Sequence, residues 1–188
     1  ALATRIGLSR PTVHRLLSSL AADGFVDHDG ESGRWMLGPE LYLMGAVAAE
    51  RYDISPLARD SVRALAAETG ESAFLSARRG DETVCLLREE GSFPIRSFVL
   101  AEGVRFPLGV ASAGLVILSM LPDATVDRYL AGNDLVALYG PSHAPEPLRD
   151  RIAATRATGY AVNPGLVVEG SFGMGAAIFD AAGQPAWA

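Results

Sequence analysis

With 188 residues, of which 49% are hydrophobic and 20% charged, the chain can form a small and a larger domain, and its composition excludes wholesale disorder. Its net charge of −6 excludes a protein that is basic throughout. Residues 1–22 nevertheless hold three arginines and no acid, and a basic start on an acidic body favours a local contact with nucleic acid.

The first predicted elements are two helices separated by a short turn. Leu2 and Ile6 are typical of the end of one helix, which residues 7–9 interrupt. A second helix follows, because its apolar residues recur at the spacing of one helical face. Ser9 is the predicted N-cap, and Gly24 is predicted to end the helix. The apolar face that we expect to be buried consists of Val13, Leu16, Leu17 and Leu20.

A hairpin is predicted directly after the second helix. Two short apolar stretches, residues 25–26 and 35–37, flank a polar run that contains Gly30 and Gly33. A helix-turn-helix followed by such a hairpin is a winged helix. We therefore expect a DNA-binding domain at residues 1–37.

Residues 38–54 are predicted to form a linker helix, since an apolar, alanine-rich stretch follows the break at Gly38 and Pro39. The apolar face of this helix serves either the core or a contact between two copies of the chain. The second is favoured, because DNA-reading proteins commonly pair to match two half-sites. The residues of this face are Leu41, Leu43, Met44 and Val47.

The second domain is predicted to span residues 55–188 and to mix helices with strands. Helices are expected at residues 55–68, 111–121, 122–130 and 148–158. Strands are expected at residues 73–77, 83–88, 95–101, 160–163 and 174–179, with one more at the end of the chain. Because the two kinds of element do not alternate strictly, the fold class is α+β with a mostly antiparallel sheet.

Polar residues of the second helix are the candidates for DNA contact, since they project away from its apolar face towards a major groove. Arg15 is expected at a guanine edge or a phosphate, and Arg10 at a phosphate. The alternative is a solvated helix face, which the preceding turn and the following hairpin make less favourable. In the hairpin, Arg34 is a further candidate, although three neighbouring acids oppose it. The predicted DNA-binding residues are Ser9, Arg10, Pro11, Thr12, His14, Arg15, Ser18 and Arg34.

Four segments, in this order, make the chain resemble regulators of the IclR type. They are LSRPTVHRLL at residues 8–17 with GFV at 24–26 and WMLG at 35–38, GVRFPL followed by ASAG at 103–114, GYAVN at 159–163, and GSFGMGAAIFD at 170–180. The resemblance implies a winged helix with its first helix missing, a GAF-like effector domain, and assembly as a dimer or a dimer of dimers. It also implies that both ends of the chain are cut, in keeping with Ala1 in place of Met.

An effector site is predicted where the small residues 111–114 begin a helix beside the sheet. Free N–H groups at a helix start can hold a carboxylate or another anion, whereas the alternative is close packing of helix on sheet. The resemblance favours the anion site. It also implies that Ile95 forms an apolar wall and that Asn163 and Gly173, from later strands, line the site. Asn163 and Gly173 stand where relatives often carry Asp and Cys, which favours an aromatic or bulkier organic effector over a small oxo-acid. The predicted effector-binding residues are Ile95, Ser112, Ala113, Asn163 and Gly173.

No residue pattern indicates catalysis, a metal or a cofactor. Ser112 lacks the glycine two residues earlier that a nucleophile elbow requires. His143 is expected on a surface loop, and Cys85 in the core of a strand. Three histidines and one cysteine give no metal-ligand spacing, and the glycines of residues 170–175 precede a strand rather than a helix, unlike a dinucleotide loop.

We therefore predict a cytoplasmic transcription regulator, either a repressor or an activator, that binds operator DNA and a small-molecule effector. A single cysteine fits a reducing cytoplasm, and no apolar run approaches the ~18 residues of a membrane span. Two alternatives stay open: a cytosolic hydrolase that uses Ser112, and a sensor or interaction domain that does not bind DNA.

Overall fold

The computed structural model of the chain describes residues 2–52 (side chains to residue 48), 54–93 and 99–188. Two compact units follow each other, Ala1–Ile54 and Ser55–Ala188. Ile95, one of the predicted effector contacts, lies outside the described residues, as does most of the predicted strand at residues 95–101. The remaining part of that segment, residues 99–101, forms no strand.

The first unit consists of helices and one hairpin. Ser9 caps its second helix as predicted, because the Ser9 Oγ accepts a hydrogen bond from the Thr12 backbone N–H at 3.3 Å. Gly24, with a φ of +75°, follows the end of that helix. The helices are α1 (Leu2–Ile6), α2 (Arg10–Ala22) and α3 (Pro39–Tyr52), and the strands β1 (Val26–His28) and β2 (Trp35–Leu37) pair antiparallel.

A backbone contact at Gly38 joins the end of the hairpin to the end of α2. The Gly38 N–H donates to the Phe25 carbonyl at 2.8 Å, and the Glu40 N–H donates to the Gly24 carbonyl at 3.2 Å. A Cβ on Gly38 would lie 2.1 Å from the Gly24 carbonyl oxygen, so only glycine fits there. This close approach fixes where the hairpin ends and α3 begins.

The expected apolar face of α2 is only partly buried. Val13 is buried and Leu17 half-buried, whereas Leu16 and Leu20 are 49% and 43% exposed. Helical spacing places all four on one face, but burial needs a partner. Within the described part of this unit, α1 and β2 lie on the side of Val13 and Leu17. The prediction that Leu16 and Leu20 are buried is therefore wrong for the described residues.

The second unit confirms the α+β class with an antiparallel sheet. Five strands pair antiparallel in the order β5-β4-β3-β9-β8, and β6 and β7 form a separate antiparallel pair. The helices are α4 (Ser55–Thr69), α5 (Ser112–Ser119), α6 (Asp123–Gly132), α7 (Val136–Tyr139) and α8 (Pro145–Thr158). The strands are β3 (Ala73–Arg79), β4 (Glu82–Glu89), β5 (Arg105–Pro107), β6 (Ala161–Pro164), β7 (Phe172–Gly175), β8 (Ile178–Phe179) and β9 (Pro185–Trp187).

Helix α5 lies at the centre of the core of this unit. Its residues Leu115, Val116, Ile117 and Leu118 are fully buried, so the helix is covered on every side. Each such side chain contributes about 1.5–3 kcal/mol relative to an exposed one. The surrounding core residues come from α6, α8 and the segment before α5.

The end of α5 is fixed by one arginine of α8. Arg156 donates from Nε to the Ser119 carbonyl at 2.6 Å and from Nη2 to the Leu121 carbonyl at 3.0 Å. Its Nη1 pairs with the Asp123 carboxylate at 2.7 Å, at the start of α6. Arg156 thus satisfies carbonyls that a helix end leaves without partners, and it connects α5, α6 and α8.

His143 is buried, and the prediction of a surface loop histidine is wrong. The segment after α7 forms a 3₁₀ turn, Pro141–His143, which turns the imidazole inward until it is 2% exposed. The ring Nδ1 lies 2.8 Å from the Tyr139 carbonyl, an acceptor, so Nδ1 carries the proton and Nε2 is bare in the neutral ring. Nε2 has no hydrogen-bond partner within the described residues.

Burial and the nearby positive charge of Arg151 lower the pKa of His143 from its usual value, although the hydrogen bond to the Tyr139 carbonyl opposes the shift. The unfolded chain therefore takes up a proton first. The contribution of His143 to stability is complete above about pH 6.5, the usual pKa of histidine, and falls as the pH drops below that value towards the folded-state pKa.

We expect His143→Gln to flatten the decline in unfolding free energy between pH 7.5 and pH 5. The measurement is urea denaturation at several pH values, and slopes are compared rather than absolute stabilities, since a buried substitution also costs stability. Ile152→Val, a change at a buried position without a titratable group, is the matched control and should keep the original slope. An unchanged slope in His143→Gln would contradict the assignment.

Candidate nucleic-acid interface and effector site

The outward face of α2 presents positive charge without a partner. Arg10 and Arg15 are exposed, and neither forms a hydrogen bond or an ion pair within the described chain. Arg34 in the hairpin is exposed and unpaired in the same sense. A guanidinium group that is not engaged by the protein is available to a phosphate or a guanine edge.

Ser9 and Thr12 serve the start of α2. Their hydroxyl oxygens lie 2.8 Å apart, in addition to the cap bond to the Thr12 N–H. Pro11 occupies the first turn, where its missing N–H costs nothing. These three predicted contacts therefore build a rigid helix start, which is also where backbone N–H groups can meet a phosphate.

His14 and Ser18 lie one turn apart on α2. The His14 Nδ1 lies 3.3 Å from the Ser18 Oγ, and the His14 ring meets the Trp35 ring of β2 edge to face, at 5.8 Å between centroids. No sequence pattern predicts a functional role for Trp35. Its place directly opposite His28 in the hairpin register was the signal that could have found it.

The tip of the hairpin is acidic and ordered around Asp29. The Asp29 carboxylate accepts hydrogen bonds from the Glu31 N–H at 3.0 Å and from the Ser32 hydroxyl. The Ser32 hydrogen bond, followed by the Glu31 N–H, lowers the pKa of Asp29, so the carboxylate stays ionised at neutral pH. With Asp27 and Glu31 also present, the tip carries three carboxylates near the single guanidinium of Arg34, and it repels phosphate.

Free backbone donors mark the start of α5. Ala111 is the N-cap residue and offers no side-chain hydrogen bond. The N–H groups of Ser112, Ala113 and Gly114 have no acceptor within the described residues. Such donors carry the positive end of the helix dipole and suit an anion.

The hairpin of β6 and β7 brings Asn163 and Gly173 to the same place. They are direct partners in the register, and a Cβ on Gly173 would lie 3.2 Å from the Ser112 Oγ. Asn163 is buried: its Nδ2 donates to the Val110 carbonyl at 2.8 Å, and its Oδ1 accepts from the Leu166 N–H at 2.8 Å. Four of the five predicted effector residues therefore lie together, and Ile95 falls outside the described part of the chain.

Packing between β7 and the start of α5 is tight. A Cβ on Gly175 would lie 3.0 Å from the Ser112 carbonyl carbon and 3.2 Å from the Ala113 nitrogen. The glycines therefore allow close helix–sheet contact, the alternative that the sequence left open. The free N–H groups point instead to an anion, so each interpretation has one observation in its favour.

Neither the serine nor the cysteine has the surroundings of a nucleophile. The Ser112 Oγ forms no hydrogen bond within the described residues. Cys85 is buried, as predicted, and desolvation raises the pKa of its thiol to about 11. In the described ranges, no three His, Cys, Asp or Glu side chains are grouped as metal ligands would be. None of the helices seen there has the length and apolar character needed to cross a membrane.

Two family models match the chain. The model described as "Bacterial transcriptional regulator IclR C-terminal" matches residues 46–188, and the model "IclR helix-turn-helix domain" matches residues 1–30. The HTH-type transcriptional regulator KipR of Bacillus subtilis is 31% identical over 93% of the chain and 69% of its own length. The chain spans 61–69% of the length of four curated relatives that it matches.

Solved structures of IclR regulators share the fold of this chain. An IclR transcriptional regulator from Alicyclobacillus acidocaldarius superimposes with a TM-score of 0.81 and 28% identity, over 98% of this chain and 74% of that one. An IclR homolog from Microbacterium hydrocarbonoxydans, described as complexed with 4-hydroxybenzoate, shares the fold with a TM-score of 0.73 and 21% identity, over 98% of this chain and 76% of that one.

We expect Gly175→Ala to lower the free energy of unfolding by about 1–3 kcal/mol, since the new methyl group meets backbone atoms that cannot move away. Thermal or urea denaturation measures the change. Gly132→Ala is the matched control, because nothing lies within 4 Å of a Cβ there. It should be neutral or slightly stabilising. Equal effects of the two substitutions would show that the contact between β7 and α5 is looser than described.

Proposed function

Because the chain belongs to the IclR family of bacterial transcriptional regulators, we propose that α2 reads operator DNA and that an effector bound at the start of α5 changes this binding. Family membership confirms the predicted class of function, a transcription regulator rather than a hydrolase. Beyond this class of function, we propose which residues contact DNA and effector, that the protein is a repressor in the cytoplasm, and how effector binding affects DNA binding.

The main support for DNA binding by α2 is that two guanidinium groups on this helix have no ion-pair partner. Arg10 and Arg15 are five residues apart, about 7.5 Å along the helix axis. In the second unit, by contrast, the exposed Arg149 pairs with Asp127 at 2.6 Å. Leaving both unpaired beside a capped helix start favours phosphate and base contact.

The remaining predicted DNA contacts divide into two groups. Ser9, Pro11 and Thr12 fix the helix start, where the paired hydroxyls of Ser9 and Thr12 can donate to a phosphate. His14 and Ser18 extend the reading face by one turn. Arg34 is left with a backbone contact, because the carboxylates of the hairpin tip oppose deeper entry into a groove.

Effector binding at the start of α5 is supported by the free N–H groups of residues 112–114. We propose that a carboxylate binds there, with Ala113 and Gly173 leaving room and Ile95 supplying an apolar wall. Asn163 contributes less than an Asp would, since both atoms of its amide already bind the backbone. An organic acid with an aromatic body fits this combination of donors and small residues.

Communication needs a link between the sites. We propose domains at residues 1–37 and 55–188, joined by a linker helix at residues 38–54, and a second copy of the chain packed on the apolar face of that helix. In support, Leu41, Leu43, Met44 and Val47 are all exposed in α3. An effector then changes DNA affinity only by as much as it prefers one state of this dimer, or dimer of dimers, over another.

One observation favours a sensor domain that does not bind DNA, the acidic hairpin tip around Asp29. That function predicts no change in DNA binding when arginines of α2 are replaced. The following experiment therefore decides between the two.

We expect Arg15→Ala to weaken binding to operator DNA and to reduce the slope of log affinity against log salt by about 1, if Arg15 contacts a phosphate. Fluorescence anisotropy at several salt concentrations, with a labelled fragment of the region upstream of the regulator's own gene, measures both. Arg128→Ala removes the same charge from an exposed position on α6 and should leave both unchanged. Equal affinities for the three proteins would favour the sensor domain.

We expect 4-hydroxybenzoate, at about a hundred times its Kd, to raise the melting temperature by roughly 5–10 °C. Ser112→Asp should abolish the rise, because a carboxylate at the helix start competes for the same N–H groups. 4-Hydroxybenzamide, which lacks the charge, is the matched control and should have little effect. A rise that survives in Ser112→Asp would place the anion elsewhere.

A further inference from the structure

Three aromatic rings of the first unit form one cluster, His14 on α2, Trp35 on β2 and His28 on β1. His28 and Trp35 are direct partners across the hairpin, with ring centroids 4.5 Å apart and planes tilted by 40°. The rings of Trp35 and His14 are nearly perpendicular, at 82°, with their centroids 5.8 Å apart. The indole is therefore the single ring that touches both the hairpin strand opposite and the helix.

The cluster is not a hydrophobic core. Both histidines are exposed, and Trp35 is only half-buried. Met36 and Leu37, the neighbours of Trp35 on β2, are exposed too. An exposed ring cluster contributes little to the free energy of unfolding. Its arrangement, in which Trp35 contacts both histidines, therefore suggests a role other than stability.

His14 is held from two sides. The Ser18 hydroxyl contacts Nδ1 at 3.3 Å, and the Trp35 ring packs against the imidazole. The remaining polar atom, Nε2, has no partner within the described residues. An imidazole free to rotate would have to be ordered when DNA binds, whereas one fixed by two contacts has already lost that freedom.

We infer that Trp35 is a positioning residue for DNA recognition. It acts through His14, by holding the imidazole so that Nε2 faces the DNA. This inference rests on the proposed function of α2 as the reading helix. The hairpin then takes part in reading a sequence even where its acidic tip stays away from phosphate. The effect belongs to the specific complex, because non-specific binding depends on charge, which Trp35 lacks.

The test uses the full-length protein and DNA that the wild-type protein selects from a random-sequence library. We expect Trp35→Ala to lose about tenfold in affinity for the selected DNA and to keep its affinity for an unselected duplex. Trp35→Phe should recover most of the loss. Met36→Ala, which removes an exposed neighbour of Trp35 on the same strand, is the matched control and should bind as the wild type does.

Two further measurements test whether the loss of affinity in Trp35→Ala acts through His14. The double variant His14→Ala, Trp35→Ala should bind the selected DNA no more weakly than His14→Ala alone, since the two residues act as one unit. In a background in which Trp187 and any tryptophan outside residues 1–188 are replaced by Phe, His14→Ala should change the fluorescence emission of Trp35 in the absence of DNA.

Each outcome decides the matter. Additive losses, an unchanged emission, or equal losses on selected and unselected DNA would overturn the role of Trp35 and leave the proposed function in place. If the wild-type protein enriches no sequence at all, the proposed function falls, and the role of Trp35 falls with it.

Discussion

The contact between β7 and the start of α5 is the constraint on which the second unit depends. Backbone meets backbone there, because Gly175 lacks a side chain. On another side of the same helix start, a Cβ on Gly114 would lie 3.1 Å from the Pro107 carbonyl oxygen, in the segment before α5. Pressed from both sides, α5 occupies the middle of the core and buries four consecutive apolar residues. The N-cap residue, Ala111, has no side-chain acceptor, so the first N–H groups of the helix stay without partners.

The backbone carbonyls of the segment before α5 accept hydrogen bonds from side chains that are distant in the sequence. Asn163 reaches the Val110 carbonyl from β6, and the Tyr129 hydroxyl donates to the Leu108 carbonyl at 2.7 Å from α6. Burial raises the pKa of Tyr129, which keeps this hydroxyl protonated and able to donate. Polar side chains from two elements therefore hold the segment that carries the candidate site. A ligand that moved this segment would disturb α6 and β6 together.

Local signals predicted much of the fold. Ser9, Gly24 and the apolar spacing of residues 13–20 were sufficient for α2, and the mixed order of helices and strands was sufficient for the α+β class with an antiparallel sheet. The errors have a common origin. Periodicity identifies a face but not what covers it, so Leu16 and Leu20 were expected inside. Composition around His143 is typical of a loop, yet the 3₁₀ turn takes the ring into the interior.

The site was predicted in part for the same reason. Ser112, Ala113, Asn163 and Gly173 come together in the structure, and it was the family resemblance rather than spacing that joined segments so distant in sequence. Trp35 escaped notice because its contact with His14 crosses from strand to helix, and single-sequence patterns carry no information on such pairs. The free N–H groups were foreseen because they follow from a helix start alone.

Cys85 lies within β4 with its Sγ donating to the Leu87 carbonyl at 3.4 Å, and its raised pKa keeps it a thiol. Peroxides and electrophiles react with the thiolate, which this position withholds. Cys85 is therefore a poor site for oxidation or alkylation, and its thiol serves the packing of the sheet rather than chemistry.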